Sequence, residues 1–69
     1  MTAPSTEQRA ILERLELKWA GDGFTHLDAA RSLARERRPL AQIKFMMRGR
    51  FTDAEIEALL AEASQPVRA

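Results

Sequence analysis

The clearest helix signals in the sequence lie in FTDAEIEALLAEA, residues 51–63. Thr52 and Glu55 have the spacing of a capping box, in which each side chain accepts a hydrogen bond from the other residue's backbone N–H. Phe51 and Ile56 occupy the two positions of a hydrophobic staple around that box. Apolar residues then recur at helical spacing, namely Ile56, Leu59, Leu60 and Ala63. The stretch therefore predicts an amphipathic helix that begins after Thr52.

Two earlier helices have similar signals at their beginnings. Ser5 and Gln8 share the capping-box spacing. The helix that begins after Ser5 would end at the Gly-Asp-Gly sequence at 21–23, since glycine tolerates the left-handed conformation common at a helix C-terminus. Thr25 then precedes an acid by three residues, Asp28, in a second capping pattern.

A third helix is expected between Pro39, which fits a first helical turn, and Gly49, which is placed to cap the C-terminus. No segment alternates apolar and polar residues as a strand would. The sequence thus predicts an all-α fold, a small bundle of four short helices near residues 6–20, 25–37, 39–48 and 53–63. The predicted core consists of Leu12, Leu15, Trp19, Leu27, Leu33, Leu40, Ile43, Met47, Phe51, Ile56, Leu59 and Leu60, with Ala30 and Ala34 buried beside them.

The length of 69 residues predicts one domain, covering residues 6–64, with a flexible tail at 1–5 and a frayed tail at 65–69. A chain of this size buries only about 60% of the surface that its unfolded form exposes. Small scaffolds usually need a disulfide, a metal or a partner subunit. The sequence has no cysteine and a single histidine, so we expect no disulfide and no metal site. Self-association as a homodimer remains as a source of stability.

The chain has no run that approaches the ~20 apolar residues of a membrane span, and its first ten residues lack the apolar core of a secretory signal. Together with the absence of cysteine, these features lead us to expect a cytoplasmic protein without a membrane contact. The excess of arginine over lysine and the abundant alanine are typical of a GC-rich bacterial or phage genome.

The net charge of +1 conceals a strong asymmetry. Residues 31–50 carry seven cations against one acid, Glu36, whereas residues 1–30 have a net charge of −2 and residues 51–69 of −3. Such a basic block is what phosphate neutralisation, or docking on an acidic protein, requires. The alternative is that the acidic first and fourth helices pack beside the block and neutralise it internally.

The basic block also has the layout of a helix-turn-helix. Residues 28–37 would form the supporting helix, Arg38-Pro39 the turn and residues 40–48 the recognition helix, although the turn lacks the glycine that such motifs often contain. At about 100° per residue, Arg31, Arg35 and Arg38 would fall together on one solvated stripe beside the buried face of the second helix. The predicted site for nucleic acid or an acidic partner consists of Arg31, Arg35, Arg38, Gln42, Lys44, Arg48 and Arg50.

The third helix is apolar nearly all round. Leu40, Ile43, Met46 and Met47 would cover its inward face, yet Phe45 lies about 140° from Leu40 on the helical wheel. Methionines beside an off-face aromatic residue suit an adaptable protein-binding surface. Phe45 is therefore predicted to take part in self-association. The alternative is that Phe45 packs under the first helix, beside Trp19.

The sequence lacks the combinations of residues that catalysis needs. The acids lie on polar faces or in first helical turns, where they complement the helix dipole, rather than in an apolar pocket with a matched partner. His26 follows Thr25 directly and is expected on the surface. The serines have no glycine elbow and no partnered histidine. We therefore expect that the protein is not an enzyme and that it has no catalytic residues and no cofactor.

Residues 28–63 combine Ala-Arg and Arg-Glu-Arg on one helix with a short Leu-x-x-Ile-Lys helix, an Arg-Gly-Arg-Phe turn and an acidic helix. This pattern resembles one three-helix repeat of the RecX recombinase regulators. Those proteins carry several such repeats, whereas this sequence holds one, and its first inter-helix linker is shorter. The resemblance is one of pattern rather than of a diagnostic motif, so it assigns no family. It implies a regulator that works on nucleic acid or on a nucleoprotein complex.

The charge layout and the missing catalytic residues together predict a small non-enzymatic regulator. It would bind nucleic acid through its second and third helices. The alternative is an adaptor or inhibitor that docks on an acidic partner protein. The two are distinguished by binding to a generic duplex and by the salt dependence of that binding.

Overall fold

The computed structural model describes residues 4–64, and in that range it contains four α-helices and no strand. The helices are α1 (Thr6–Trp19), α2 (Thr25–Arg35), α3 (Leu40–Met46) and α4 (Asp53–Ala63), with a turn of 3₁₀ helix at Ala20–Asp22. The predicted all-α bundle of four short helices is confirmed. Residues 1–3 of the predicted N-terminal tail and all of the predicted tail at 65–69 lie outside the described range. No helix within residues 4–64 is long and apolar enough to cross a membrane.

Both predicted capping boxes are present. At α1, the Gln8 N–H donates to the Ser5 hydroxyl at 3.1 Å, and the Ser5 N–H donates to the Gln8 side chain at 2.9 Å. At α4, the Glu55 N–H donates to the Thr52 hydroxyl at 3.2 Å, and the Thr52 N–H donates to the Glu55 carboxylate at 2.8 Å. Each side-chain cap contributes about 1 kcal/mol to helix stability, so the bounds of these two helices follow directly from the sequence.

The capping pair predicted for α2 does not form. The residue before the helix is Phe24, which has a left-handed φ of 63° and makes no side-chain cap. Thr25 is already helical, and its hydroxyl donates to the Asp22 carbonyl at 3.0 Å. Because the 3₁₀ turn extends α1 and Gly23 reverses the chain at φ 68°, Thr25 binds the preceding turn instead of capping its own helix.

The end of α2 falls at Arg35, two residues before the predicted end. Arg37 has a left-handed φ of 61°. The Arg38 N–H donates to the Leu33 carbonyl at 3.2 Å, and the Arg37 N–H donates to the Ala34 carbonyl at 2.9 Å. These are the two hydrogen bonds of a Schellman motif, with an arginine at the position where glycine is usual.

The end of α3 repeats this motif. Arg48 has a φ of 56°, its N–H donates to the Phe45 carbonyl at 3.1 Å, and the Gly49 N–H donates to the Lys44 carbonyl at 3.1 Å. Gly49, itself left-handed at φ 72°, donates the outer hydrogen bond of this motif, so it takes part in the C-cap as the sequence predicts, one residue beyond Arg48. The motif also limits α3 to seven residues, Leu40–Met46.

The core surrounds α4, which packs on α1, α2 and α3. The buried side chains of the core agree with the prediction at most positions. They add one alanine, Ala58, that the sequence patterns did not single out. Trp19, Leu33, Leu40 and Leu60 are only partly buried at its edge. The buried hydrophobic core consists of Leu12, Leu15, Leu27, Ala30, Ala34, Ile43, Met47, Phe51, Ile56, Ala58 and Leu59.

Candidate functional site

Arg31 is held between three helices by acids on either side of it. Its Nε and Nη2 donate to the Glu62 carboxylate on α4 at 3.0 and 3.3 Å, and Nη2 also donates to Glu16 on α1 at 3.1 Å. Burial lowers the pKa of the Arg31 guanidinium, but its hydrogen bonds with Glu16 and Glu62 raise that pKa above the ordinary value. For this residue the structure shows the internal neutralisation that the sequence left open as an alternative.

Two further cations have partners at the surface. Lys44 Nζ lies 2.9 Å from Asp53 Oδ1, and Arg38 Nε lies 2.9 Å from Glu36 Oε1. All four side chains are about half exposed. Exposed ion pairs of this kind contribute about 0–1 kcal/mol, so an external anion can displace either acid. Both cations therefore stay available for binding.

Three arginines of the block project from the surface without an acidic partner. Arg35, Arg37 and Arg48 are exposed, and none forms an ion pair with an acid of residues 4–64. Arg50 is half-buried, and its Nη1 donates to the Met47 carbonyl at 3.1 Å, which braces the turn after α3. The run from Arg37 to Arg50 thus holds five cations and no acid.

The predicted stripe of Arg31, Arg35 and Arg38 along α2 is wrong for its last member. Because α2 ends at Arg35 and the chain reverses at the left-handed Arg37, Arg38 belongs to the turn between α2 and α3. Only Arg31 and Arg35 keep the helical spacing. The four-residue turn at 36–39 has the length found in helix-turn-helix motifs, but α3 is only about 10 Å long.

Phe45 is exposed, with 82% of its surface accessible. It does not pack beside Trp19, whose ring lies instead 5.2 Å from that of His26 and 5.5 Å from that of Phe51. The alternative of an inward Phe45 is therefore wrong. His26 is half-buried in this aromatic contact rather than fully on the surface, and its Nε2 lies 3.3 Å from Asp22.

An open groove of about 1000 Å³ lies beside Phe45, between α3 and the start of α4. Leu40, Phe45 and Met46 supply its apolar side chains, whereas Lys44, Arg48 and Asp53 supply its charged ones. Met46 is 49% exposed, which corrects its predicted place on the inward face of α3. The groove therefore places exposed apolar side chains directly beside cations.

We use the name α3 surface for the exposed side chains on α3 and on the two turns beside it. It combines cations at both ends of the helix with one aromatic ring between them. Gln42, which the sequence predicts to face outward, is also exposed there. The α3 surface consists of Arg37, Arg38, Gln42, Lys44, Phe45 and Arg48. The sequence pointed to all of these except Arg37, whose exposure depends on the unforeseen end of α2.

Comparison of the chain with protein-family models gives no match. Searches of curated proteins and of solved structures likewise give no significant match. A ligand for the α3 surface can therefore be inferred only from the chemistry of its own residues.

Proposed function

We propose that this protein is a small non-enzymatic regulator that binds nucleic acid through the α3 surface. The observation that carries the proposal is the run from Arg37 to Arg50, which has five cations and no acid. Neutralisation of phosphates by lysine and arginine supplies most of the sequence-independent affinity for nucleic acid. Arg31 is excluded from this surface because Glu16 and Glu62 occupy its donors.

The backbone at Arg37 and Arg48 supports the same proposal. A residue other than glycine costs about 1 kcal/mol or more in the left-handed conformation. Neither arginine offsets that cost through an ion pair with an acid in the described part of the chain. Backbone outliers of this kind concentrate at functional sites. We infer that their guanidinium groups are retained at the two ends of α3 for binding.

Fluorescence anisotropy with a labelled duplex of about 20 base pairs tests the proposal. Between 50 and 200 mM salt, affinity should fall steeply, with a slope in log–log form of about −0.9 for each phosphate neutralised. The double variant Arg37→Gly/Arg48→Gly should weaken binding and reduce the magnitude of that slope by about 2. Because glycine is favoured at both positions, weaker binding cannot be attributed to unfolding.

A matched control removes the same charge elsewhere. Arg9 and Arg14 are exposed on α1, outside the basic block, so Arg9→Ala/Arg14→Ala should leave the affinity and the slope nearly unchanged. An equal loss in both double variants would mean that net charge alone attracts nucleic acid. That result would contradict a defined α3 surface.

Docking on an acidic partner protein is a second candidate function, and the groove beside α3 favours it. Leu40, Phe45 and Met46 would receive apolar side chains, while Lys44 and Arg48 would meet carboxylates at the rim. This alternative predicts no binding to nucleic acid at physiological salt. A partner recovered from the native host should then bind the wild type and lose affinity for Arg37→Gly/Arg48→Gly.

A further inference from the structure

Phosphate neutralisation does not explain why Phe45 is exposed. An exposed phenylalanine forgoes the roughly 1.5–3 kcal/mol that full burial of its side chain would contribute. Lys44 immediately precedes Phe45 on α3, and Arg48 follows Phe45 by three residues in the turn after the helix. All three side chains line the same groove. An accessible aromatic face between two cations is the arrangement with which proteins hold single strands, since bases stack on the ring while cations follow the backbone.

We propose, building on the function proposed above, that the α3 surface binds single-stranded nucleic acid and that Phe45 stacks on one base. Lys44 and Arg48 then contact the phosphates on either side of that base. Arg37 and Arg38, at the other end of α3, neutralise phosphates further along the strand. The apolar side of the groove, formed by Leu40 and Met46, covers the neighbouring base or sugar.

A duplex suits this surface less well than a single strand does. In a duplex the base faces are stacked on one another, and the grooves present polar base edges. An exposed phenyl ring would then meet donors and acceptors that it cannot pair. A single strand exposes its base faces, and every base has one, so stacking tolerates any sequence. Stacking on the ring and charge pairing with phosphates require no 2′-hydroxyl, so we expect DNA and RNA strands to bind about equally.

The affinities of the protein for three labelled probes, measured by fluorescence anisotropy at 50 mM salt, test the single-strand inference. These are thymidine and uridine homopolymers of about 20 nucleotides and a mixed-sequence duplex of the same length. The wild type should bind both strands more tightly than the duplex. Phe45→Leu, which keeps an apolar side chain without a ring, should weaken strand binding at least about fivefold and leave duplex binding unchanged.

Two further variants separate stacking from general apolar contact. Phe45→Trp should retain strand binding. The fluorescence of the added indole should be quenched when thymine bases stack on it. Leu17→Ala is the matched control, because Leu17 is exposed to nearly the same extent, 80%, but lies on α1. That variant should bind all three probes like the wild type.

Each contrary outcome has a distinct meaning. Equal affinity for strand and duplex, with no effect of Phe45→Leu, would overturn the single-strand inference and leave the proposed function standing. Unchanged indole fluorescence in a strand-bound Phe45→Trp protein, or more than a tenfold preference for one sugar, would also overturn it. Failure to bind any of the three probes would overturn both proposals and favour the acidic protein partner.

Discussion

Arg37 and Arg48 occupy equivalent positions at the two ends of α3, each as the left-handed residue that follows a helix, with φ values of 61° and 56°. Both N–H groups donate to a carbonyl three residues earlier in the helix that has just ended. The same motif therefore orients an arginine before and after the short helix. Both arginines therefore carry the steric cost of the left-handed conformation.

The first prediction concerns the loss of stability caused by the left-handed conformation of Arg37 and Arg48. Arg37→Gly and Arg48→Gly should each raise the free energy of unfolding by roughly 0.5–1 kcal/mol, because glycine adopts the left-handed conformation without steric cost. In a domain of this size, the gain corresponds to an increase in Tm of about 2–8 °C. Thermal denaturation followed by circular dichroism measures it.

Arg35→Gly is the control for that series. Arg35 is the last residue of α2 and has a right-handed helical conformation, so the same chemical change there should destabilise the protein by about 0.5–1 kcal/mol. If all three glycine variants lower the Tm, the left-handed arginines carry no excess cost. The conformational support for a binding role would then be lost.

The second prediction concerns the Arg31 bridge. Arg31→Met keeps an apolar stem but removes every donor to Glu16 and Glu62, and it should destabilise the fold by about 1–3 kcal/mol. Glu62→Gln should cost more than Glu16→Gln, since Glu62 accepts two hydrogen bonds and its side chain is 35% exposed against 52%. Urea unfolding gives these differences.

Arg9→Met provides the matched control, because Arg9 is an exposed cation on α1 and its loss should change stability by less than about 0.5 kcal/mol. The sequence had placed Arg31 among the residues that contact a partner. If Arg31→Met weakens nucleic-acid binding while stability is unchanged, that earlier assignment is right and the structural role inferred from the bridge is wrong.

The comparison of sequence and structure shows which kinds of information are local. Thr52 with Glu55 and Ser5 with Gln8 specify helix starts within four residues, and both were predicted. The ends of α2 and α3 were each predicted two residues too late, because Arg37 and Arg48 take the left-handed position at which the C-cap pattern expects glycine.

Tertiary relationships were harder to predict. Arg31 is separated from Glu16 by 15 residues and from Glu62 by 31, so helix packing alone brings them together. Ala58 was missed for a related reason. Ala58 lies outside the stripe formed by Ile56, Leu59, Leu60 and Ala63, and its complete burial follows from the central position of α4.

The third prediction concerns Asp53, the acid that pairs with Lys44 beside the groove. Asp53→Asn should strengthen nucleic-acid binding about two- to fivefold, because it frees Lys44 and removes a charge that repels phosphates. The helix start should lose only about 0.3–1 kcal/mol, since one favourable charge near the α4 N-terminus is gone. Anisotropy at low salt checks the first effect and thermal denaturation the second.

Glu57→Gln is the control for the Asp53 variant. Glu57 is exposed on α4 and pairs with no cation of residues 4–64, so its substitution makes the same change in net charge without freeing Lys44. Equal strengthening in both variants would show that net charge, rather than the release of Lys44, controls binding.

The last prediction concerns self-association, which the size of the chain and the exposed Phe45 favour. In the absence of nucleic acid, which would occupy the same ring, we expect pairing at micromolar concentration through Phe45, and we expect it to strengthen as salt rises. Two copies that meet at this ring bring two basic segments together, and added salt screens the repulsion between them. This salt dependence is opposite to that of nucleic-acid binding, which weakens as salt rises. Sedimentation equilibrium on the wild type should show dimers that Phe45→Glu abolishes, whereas Leu17→Glu, at a residue exposed to nearly the same extent on α1, should leave them intact. A wild type that stays monomeric at every salt concentration would contradict the prediction, and Phe45 would then have no role in self-association.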